Sequence, residues 1–300
     1  MFADVDPLTY NVTAETIAPR ITERTRAIIV THLFGNPCRM GPILELAEKH
    51  GLPIIEDAAQ AFGATCDGKR VGTIGDIGCF SLQQGKHMTT GEGGVVIARD
   101  ETHWRRMWLF VDKAWGYGDP APDHYFLALN YRMTEMQGAV ALAQLEKLDR
   151  AIATRVRIAG MLTERLRDVE GIHPPETTPG CTHTYWKYAL RIDGDLDAFS
   201  ASLKEVGIFN VPRYIQKPAF MLQTFREQNT FGKSGFPFVG PHRAGLPPVV
   251  YDPEDYPGSR EALAHVLVLP INERYTEEHV DFLVGHITDA ARKLRNKVQL

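Results

Sequence analysis

Leu52-Pro53-Ile54-Ile55-Glu56-Asp57-Ala58-Ala59-Gln60-Ala61 decides the fold. Its apolar start is short and β-branched, so it reads as a buried strand, and it runs out into two carboxylates and small residues. Upstream, Arg26 to Leu33 holds a second such run, Ala27-Ile28-Ile29-Val30, broken by Gly35-Asn36-Pro37. Between the two strands, Met40 to His50 places Ile43, Leu44, Leu46 and Ala47 at helical spacing, and Gly51 follows in the position that closes a helix. Strand, helix, strand in this rhythm predicts parallel pairing through a right-handed crossover, hence an α/β fold.

Working outward, Ile77 to Leu82 and Gly94 to Ala98 read as two more strands around a polar, glycine-rich turn, and Thr102 to Phe110 as a helix. Residues 111–130 are loop-like and rich in Gly, Pro and aromatic residues. From Met133 to Arg167, apolar residues recur near 3.6 spacing in a long helical stretch of the kind that joins two domains. The texture then changes: a Pro-rich segment to Pro179, a strand at Tyr185 to Ile192, and helices at Leu196 to Val206 and Glu277 to Val298. Residues 231–260 read as a loop or lid. The expected division is a large domain over 1–150 and a small C-terminal one over 151–300.

A chain of 300 residues with 44% hydrophobic and 23% charged content has ample material for a core. A net charge of −4 gives no electrostatic reason to expect nucleic acid or a membrane surface as partner. Cys38, Cys66, Cys79 and Cys181 show no CxxC spacing, so free thiols, a cytoplasmic setting and no metal are expected. No apolar run approaches the ~18 residues of a membrane span, and the first residues lack a signal-peptide pattern. Phe2 to Val5 reads as a strand or strand end without lead-in, so the chain is expected to start inside a domain.

The chemistry concentrates in Phe80-Ser81-Leu82-Gln83-Gln84-Gly85-Lys86-His87-Met88-Thr89-Thr90-Gly91-Glu92-Gly93-Gly94. A lysine in such a turn, with a carboxylate at the end of a preceding strand, matches the needs of pyridoxal 5'-phosphate (PLP): an amine to hold the aldehyde and an acid to pair with the pyridine nitrogen. In open parallel sheets, ligands bind at the carboxyl ends of strands, where Asp57 and the Ser81–Lys86 turn both fall. Taken singly, each has an ordinary reading. Asp57 suits a helix N-cap, Lys86 a solvated surface, and the glycines a hairpin turn. Gly72-Thr73-Ile74-Gly75-Asp76-Ile77-Gly78 lacks the dinucleotide-binding spacing.

Together, Glu56–Ala61, Phe80-Ser81 and Lys86-x-x-Thr89-x-Gly91-Glu92-Gly93-Gly94 resemble the central motifs of the DegT/DnrJ/EryC1/StrS family of PLP-dependent sugar aminotransferases. Asn130-Tyr131-Arg132-Met133-Thr134-Glu135-Met136-Gln137, followed by Leu142-Ala143-Gln144-Leu145-Glu146, resembles a third. The resemblance implies PLP-dependent transferase fold type I and a homodimer. It implies that Lys86 carries PLP as a Schiff base and moves the proton, that Asp57 pairs with the pyridine nitrogen, and that Gln60 lies near the ring hydroxyl. It places Ser81 at the phosphate and Asn130 at the phosphate of the neighbouring subunit. Gln83 departs from the pattern, since many members have histidine there. Phe2–Pro7 resembles a segment found about a quarter of the way along family members. A Gly-Thr phosphate turn is therefore expected to lie upstream of it, leaving the cofactor site incomplete on these residues.

The implied reaction moves an amino group from glutamate or glutamine to a nucleotide-linked keto-sugar or a keto-cyclitol. One alternative is a catalytically impaired or regulatory relative. The other is a PLP-dependent sugar dehydratase, in which histidine replaces the lysine; here Lys86 is in register and His87 is one place off.

Overall fold

The computed structural model describes residues 1–298. Strands β1 (Ile28–Thr31), β2 (Ile54–Asp57), β3 (Ile77–Ser81) and β4 (Gly94–Ala98) lie side by side in that order. The first three are parallel and β4 turns back antiparallel to β3. The register sets Thr31 beside Asp57 and Asp57 beside Cys79, so the polar ends of three strands share one edge. Helix α1 (Met40–His50) makes the crossover from β1 to β2. It buries Met40, Ile43 and Ala47 and ends at Gly51, whose φ of 61° is one that glycine adopts without strain.

After α2 (Glu101–Val111), helix α3 (Glu135–Leu166) begins with a capping box between Thr134 and Gln137 and runs through residue 150. Its N-terminal part, as far as Ile152, packs Ala141, Leu148 and Ile152 with Leu82 and Met88 of the lysine turn. Its second half places Ile158, Leu162 and Leu166 in the C-terminal core. That core is built on β5 (Ile172–His173), β6 (Lys187–Ile192), β7 (Val211–Pro212) and β8 (Val266–Pro270), an antiparallel sheet in the order β7-β8-β6-β5. Helices α4 (Leu196–Glu205), α5 (Pro257–His265) and α6 (Glu277–Val298) complete this half. A small sheet of Thr65–Cys66, Lys69–Arg70 and Cys181–Thr182 ties the two halves together. No helix among the described residues is long and apolar enough to cross a membrane.

The structure corrects the reading of the first residues. Phe2–Val5 is not a strand. The Asp4 carboxylate instead caps α5, accepting from Gly258 N at 2.7 Å and Ser259 N at 2.8 Å. Phe2 packs against Phe225 and Tyr251, with ring centres 5.1 Å away in each case. Strand β8 and helix α5 also lie outside the elements expected from the sequence. The run Val266-Leu267-Val268-Leu269 carried the strand signal, but Pro270 and the irregular segment before it masked it.

Candidate functional site

Adjacent carboxylates at the end of β2 go to different places because successive strand residues face opposite sides of a sheet. Glu56 is fully buried. It accepts hydrogen bonds from Gly72 N and Ile74 N, both at 2.7 Å, and from His32 Nε2 at 3.0 Å. His32 Nδ1 accepts the Cys38 N–H at 3.0 Å, which leaves Nε2 to donate. Burial opposes the Glu56 charge, but the bonds from His32, Gly75 and Gly72 hold its pKa below the ordinary carboxylate range. The glycine-spaced segment is thus a ledge locked to Glu56. A Cβ on Gly78 would sit 1.9 Å from the Gly72 carbonyl oxygen, which no side chain tolerates.

Asp57 is half-buried and faces the strand-end edge. Its Oδ1 accepts from Ala59 N at 3.1 Å, and Thr31 Oγ1 donates to Oδ2 at 3.4 Å. Its charge acts on the lysine turn, where it favours the protonated form of Lys86. The larger influence on Lys86 is burial, which lowers its pKa, and the neighbouring Lys187 lowers it further.

The turn around Lys86 is braced locally. Ser81 Oγ accepts from Gln83 N at 3.2 Å, Lys86 N donates to Gln83 O at 3.0 Å, and Thr89 Oγ1 donates to Leu82 O at 3.0 Å. It is also held from the other half of the molecule. Trp186 Nε1 donates to Gly85 O at 2.6 Å, and His87 Nε2 donates to Thr184 O at 3.0 Å. Residues on both sides of Lys86 are therefore hung from one segment, Thr184–Trp186. Lys86 Nζ rests 4.1 Å from the centre of the Trp186 ring. Burial, with the charges of Arg155 and Lys86, pushes His87 down to about 4, so its ring is neutral near pH 7.

The bracing segment has its own footing. Gly35, at φ 95°, packs so closely that a Cβ would meet Thr184 Oγ1, Tyr185 N and Trp186 N at 3.0 Å. Gly35 O accepts Thr184 N at 2.9 Å. Its neighbour Phe34 donates its N–H to Gln60 Oε1 at 2.8 Å. Gln60 thus holds the turn on which the lysine brace stands. Asn130 is exposed, and its Oδ1 accepts from Arg132 N at 3.2 Å. Its segment reaches the lysine turn through Gln137 Nε2, which donates to Glu92 O at 2.8 Å.

The structure accordingly gathers Asp57, Ser81 and Lys86 at one edge, sets Gln60 behind a supporting turn, and leaves Asn130 on an outer surface. Sequence reasoning missed Trp186, His87 and Glu56. Only Glu56 carried a local signal, its position next to Asp57 in a strand of alternating burial.

The model of the DegT/DnrJ/EryC1/StrS aminotransferase family matches residues 1–239. GDP-perosamine synthase of Caulobacter vibrioides is 37% identical over 219 residues, 71% of this chain and 58% of that protein. L-glutamine:2-deoxy-scyllo-inosose aminotransferase of Streptomyces fradiae is 38% identical over 267 residues, 82% of this chain and 62% of that protein. The chain thus spans less than two thirds of the length of these curated relatives. Among solved structures, an aminotransferase from Psychrobacter cryohalolentis superposes with a TM-score of 0.81 at 30% identity, covering 98% of this chain and 76% of that one. The aminotransferase TlmJ from Streptoalloteichus hindustanus gives 0.82 at 25% identity, covering 98% and 74%. The architecture is PLP-dependent transferase fold type I, an α/β fold with a mixed sheet.

Proposed function

This chain belongs to the DegT/DnrJ/EryC1/StrS aminotransferase family, and on that footing we propose that it is a PLP-dependent aminotransferase. The amino group passes from an amino-acid donor, glutamate or glutamine, to a keto-sugar or keto-cyclitol. The similarity to a relative named for L-glutamine and a cyclitol supports this acceptor and donor pair.

The residues at the strand edge have the right chemistry for the cofactor: a primary amine, a carboxylate and a hydroxyl, drawn from β2, β3 and the turn after β3. Bound there, PLP supplies an aldehyde to receive nitrogen and a pyridine ring that takes up electrons. Lys86 would hold the aldehyde and move the proton. Its burial favours the neutral amine that such work requires. Asp57 would pair with the pyridine nitrogen and favour its protonated form. Ser81 would meet the phosphate, Asn130 that of a partner subunit, and Gln60 would lie near the ring hydroxyl. The single observation that carries the reading is Lys86, half-buried against an indole and within the field of Asp57, at the carboxyl ends of parallel strands.

We further take residues 1–150 as the PLP-binding part and 151–300 as the small domain of a cytoplasmic homodimer. The exposed apolar residues Leu127, Tyr131, Met136 and Leu142 support a second subunit at this face. The test is amino transfer by PLP-loaded protein from L-glutamine, followed by mass spectrometry of a panel of keto-cyclitols and nucleotide-linked keto-sugars. The expected result is the keto acid of glutamine together with one aminated acceptor. Failure to form a keto acid from L-glutamine and, in a parallel reaction, from L-glutamate would remove the reading.

A further inference from the structure

Lys187 stands out among the cations around the lysine turn. Its Nζ lies 5.0 Å from the centre of the same Trp186 ring that Lys86 Nζ approaches at 4.1 Å. The two amines are therefore no more than 9.1 Å apart, the sum of those distances. A third cation, Arg155, is buried nearby and is matched: Nη2 pairs with Glu273 Oε2 at 2.9 Å and Nη1 donates to Ile271 O at 2.8 Å. Lys86 is matched by the field of Asp57. Among the described residues, no carboxylate lies within ion-pair distance of Lys187, and the charge acting most on it is that of Arg155, another cation.

Half-buried near the Arg155 guanidinium and with no carboxylate beside it, Lys187 has lost hydration without gaining a partner, which disfavours its ammonium form; an anion entering the cleft would supply that partner and favour the charge. We propose that Lys187 is the anion subsite of this cleft and takes the α-carboxylate of the amino-acid donor. This rests on the amino-transfer reading above. The choice of donor over cofactor phosphate follows from position. The donor nitrogen must replace Lys86 at the reacting carbon, and its carboxylate is attached one carbon away. A cation one indole removed from Lys86 suits that group, whereas Ser81, the hydroxyl assigned to phosphate, lies back on β3. Trp186 then serves both lysines, as the surface on which Lys86 rests and as the wall that aims Lys187.

The test uses PLP-loaded protein and the variants Lys187→Met and Lys187→Arg. Calorimetry with glutarate, which carries carboxylates but no amine, reads binding without turnover. Absorbance titration reads the affinity for PLP. Comparing keto-acid formation from L-glutamine and L-glutaminamide, which lacks the carboxylate, reads donor recognition. The expected result is at least tenfold weaker glutarate binding in Lys187→Met, less than threefold in Lys187→Arg, and unchanged PLP affinity in both. The preference for glutamine over glutaminamide should also collapse in Lys187→Met. Undiminished glutarate binding or preference in Lys187→Met, or no glutarate binding by the parent protein, overturns the inference while turnover of glutamine leaves amino transfer standing. A loss confined to PLP affinity assigns Lys187 to the cofactor phosphate and also overturns it. A parent protein that forms no keto acid from glutamine or glutamate removes both readings.

Discussion

In the C-terminal sheet, the apolar residues of β6 and β8 are enclosed: Tyr188, Leu190, Ile192, Leu267 and Leu269 are all buried among side chains of α3, α4 and α6. In the N-terminal sheet, residues of the same type meet water. Ile29 of β1 is 65% exposed and Val96 of β4 is 47% exposed. Asp57, Ser81 and Lys86 nevertheless gather on the less enclosed sheet, because parallel strands bring their polar carboxyl ends to one edge. The more enclosed half contributes rigidity at a distance. Trp186 and Thr184, at the entrance to β6, hold the backbone on either side of Lys86. One half carries Asp57, Ser81 and Lys86, and the other holds the turn around Lys86 in place.

The sharpest break in that division of labour is Lys86→Ala. Amino transfer should fall by about three powers of ten or more, since on the proposed reading one amine is both attachment point and proton carrier, while circular dichroism and thermal unfolding stay near the parent's. Asp57→Asn should come next, with PLP still bound by absorbance titration and turnover reduced by about a hundredfold or more. Near-parental turnover in Asp57→Asn would remove its role at the ring nitrogen.

Glu56→Gln tests the ledge behind the site. It replaces a buried anion that accepts several N–H groups, so a loss of about 2–4 kcal/mol in chemical denaturation is expected. The sign of its pH dependence follows from the direction of the shift. Its folded pKa is lowered, so its stabilisation is complete above the unfolded carboxylate value of about 4.3 and is lost as pH falls through the folded value. Glu56→Gln should flatten that part of the acid limb; an unchanged limb would assign the acid sensitivity elsewhere. The smallest effect is expected from Trp186→Phe, which keeps a ring and removes Nε1–H. Losing one hydrogen bond of about 0.5–1.5 kcal/mol should speed amide exchange in residues 83–88 roughly two- to tenfold and leave β6 and β8 unchanged. Equal acceleration in both regions would show that the brace is not local.

Much of this arrangement was legible from the sequence. The alternation of strand and helix from Arg26 to Ala61 fixed the parallel pairing, and the position of Asp57 and Lys86 after strand-like runs placed both at one edge. These are local signals, carried by periodicity over a few residues. The brace was not legible, because nothing in the neighbourhood of Trp186 points to Gly85, 101 positions earlier. Asp4 shows the same limit. Its carboxylate works on Gly258, 254 positions away, and the β-like texture of Phe2–Val5 was overridden by that cap and by packing of Phe2 on distant rings.

Borohydride reduction of the PLP-loaded protein, followed by peptide mapping, tests the central claim most directly. The account predicts a single labelled peptide, with the cofactor fixed to Lys86. A label on Lys49, Lys69, Lys113 or Lys187 instead would contradict it.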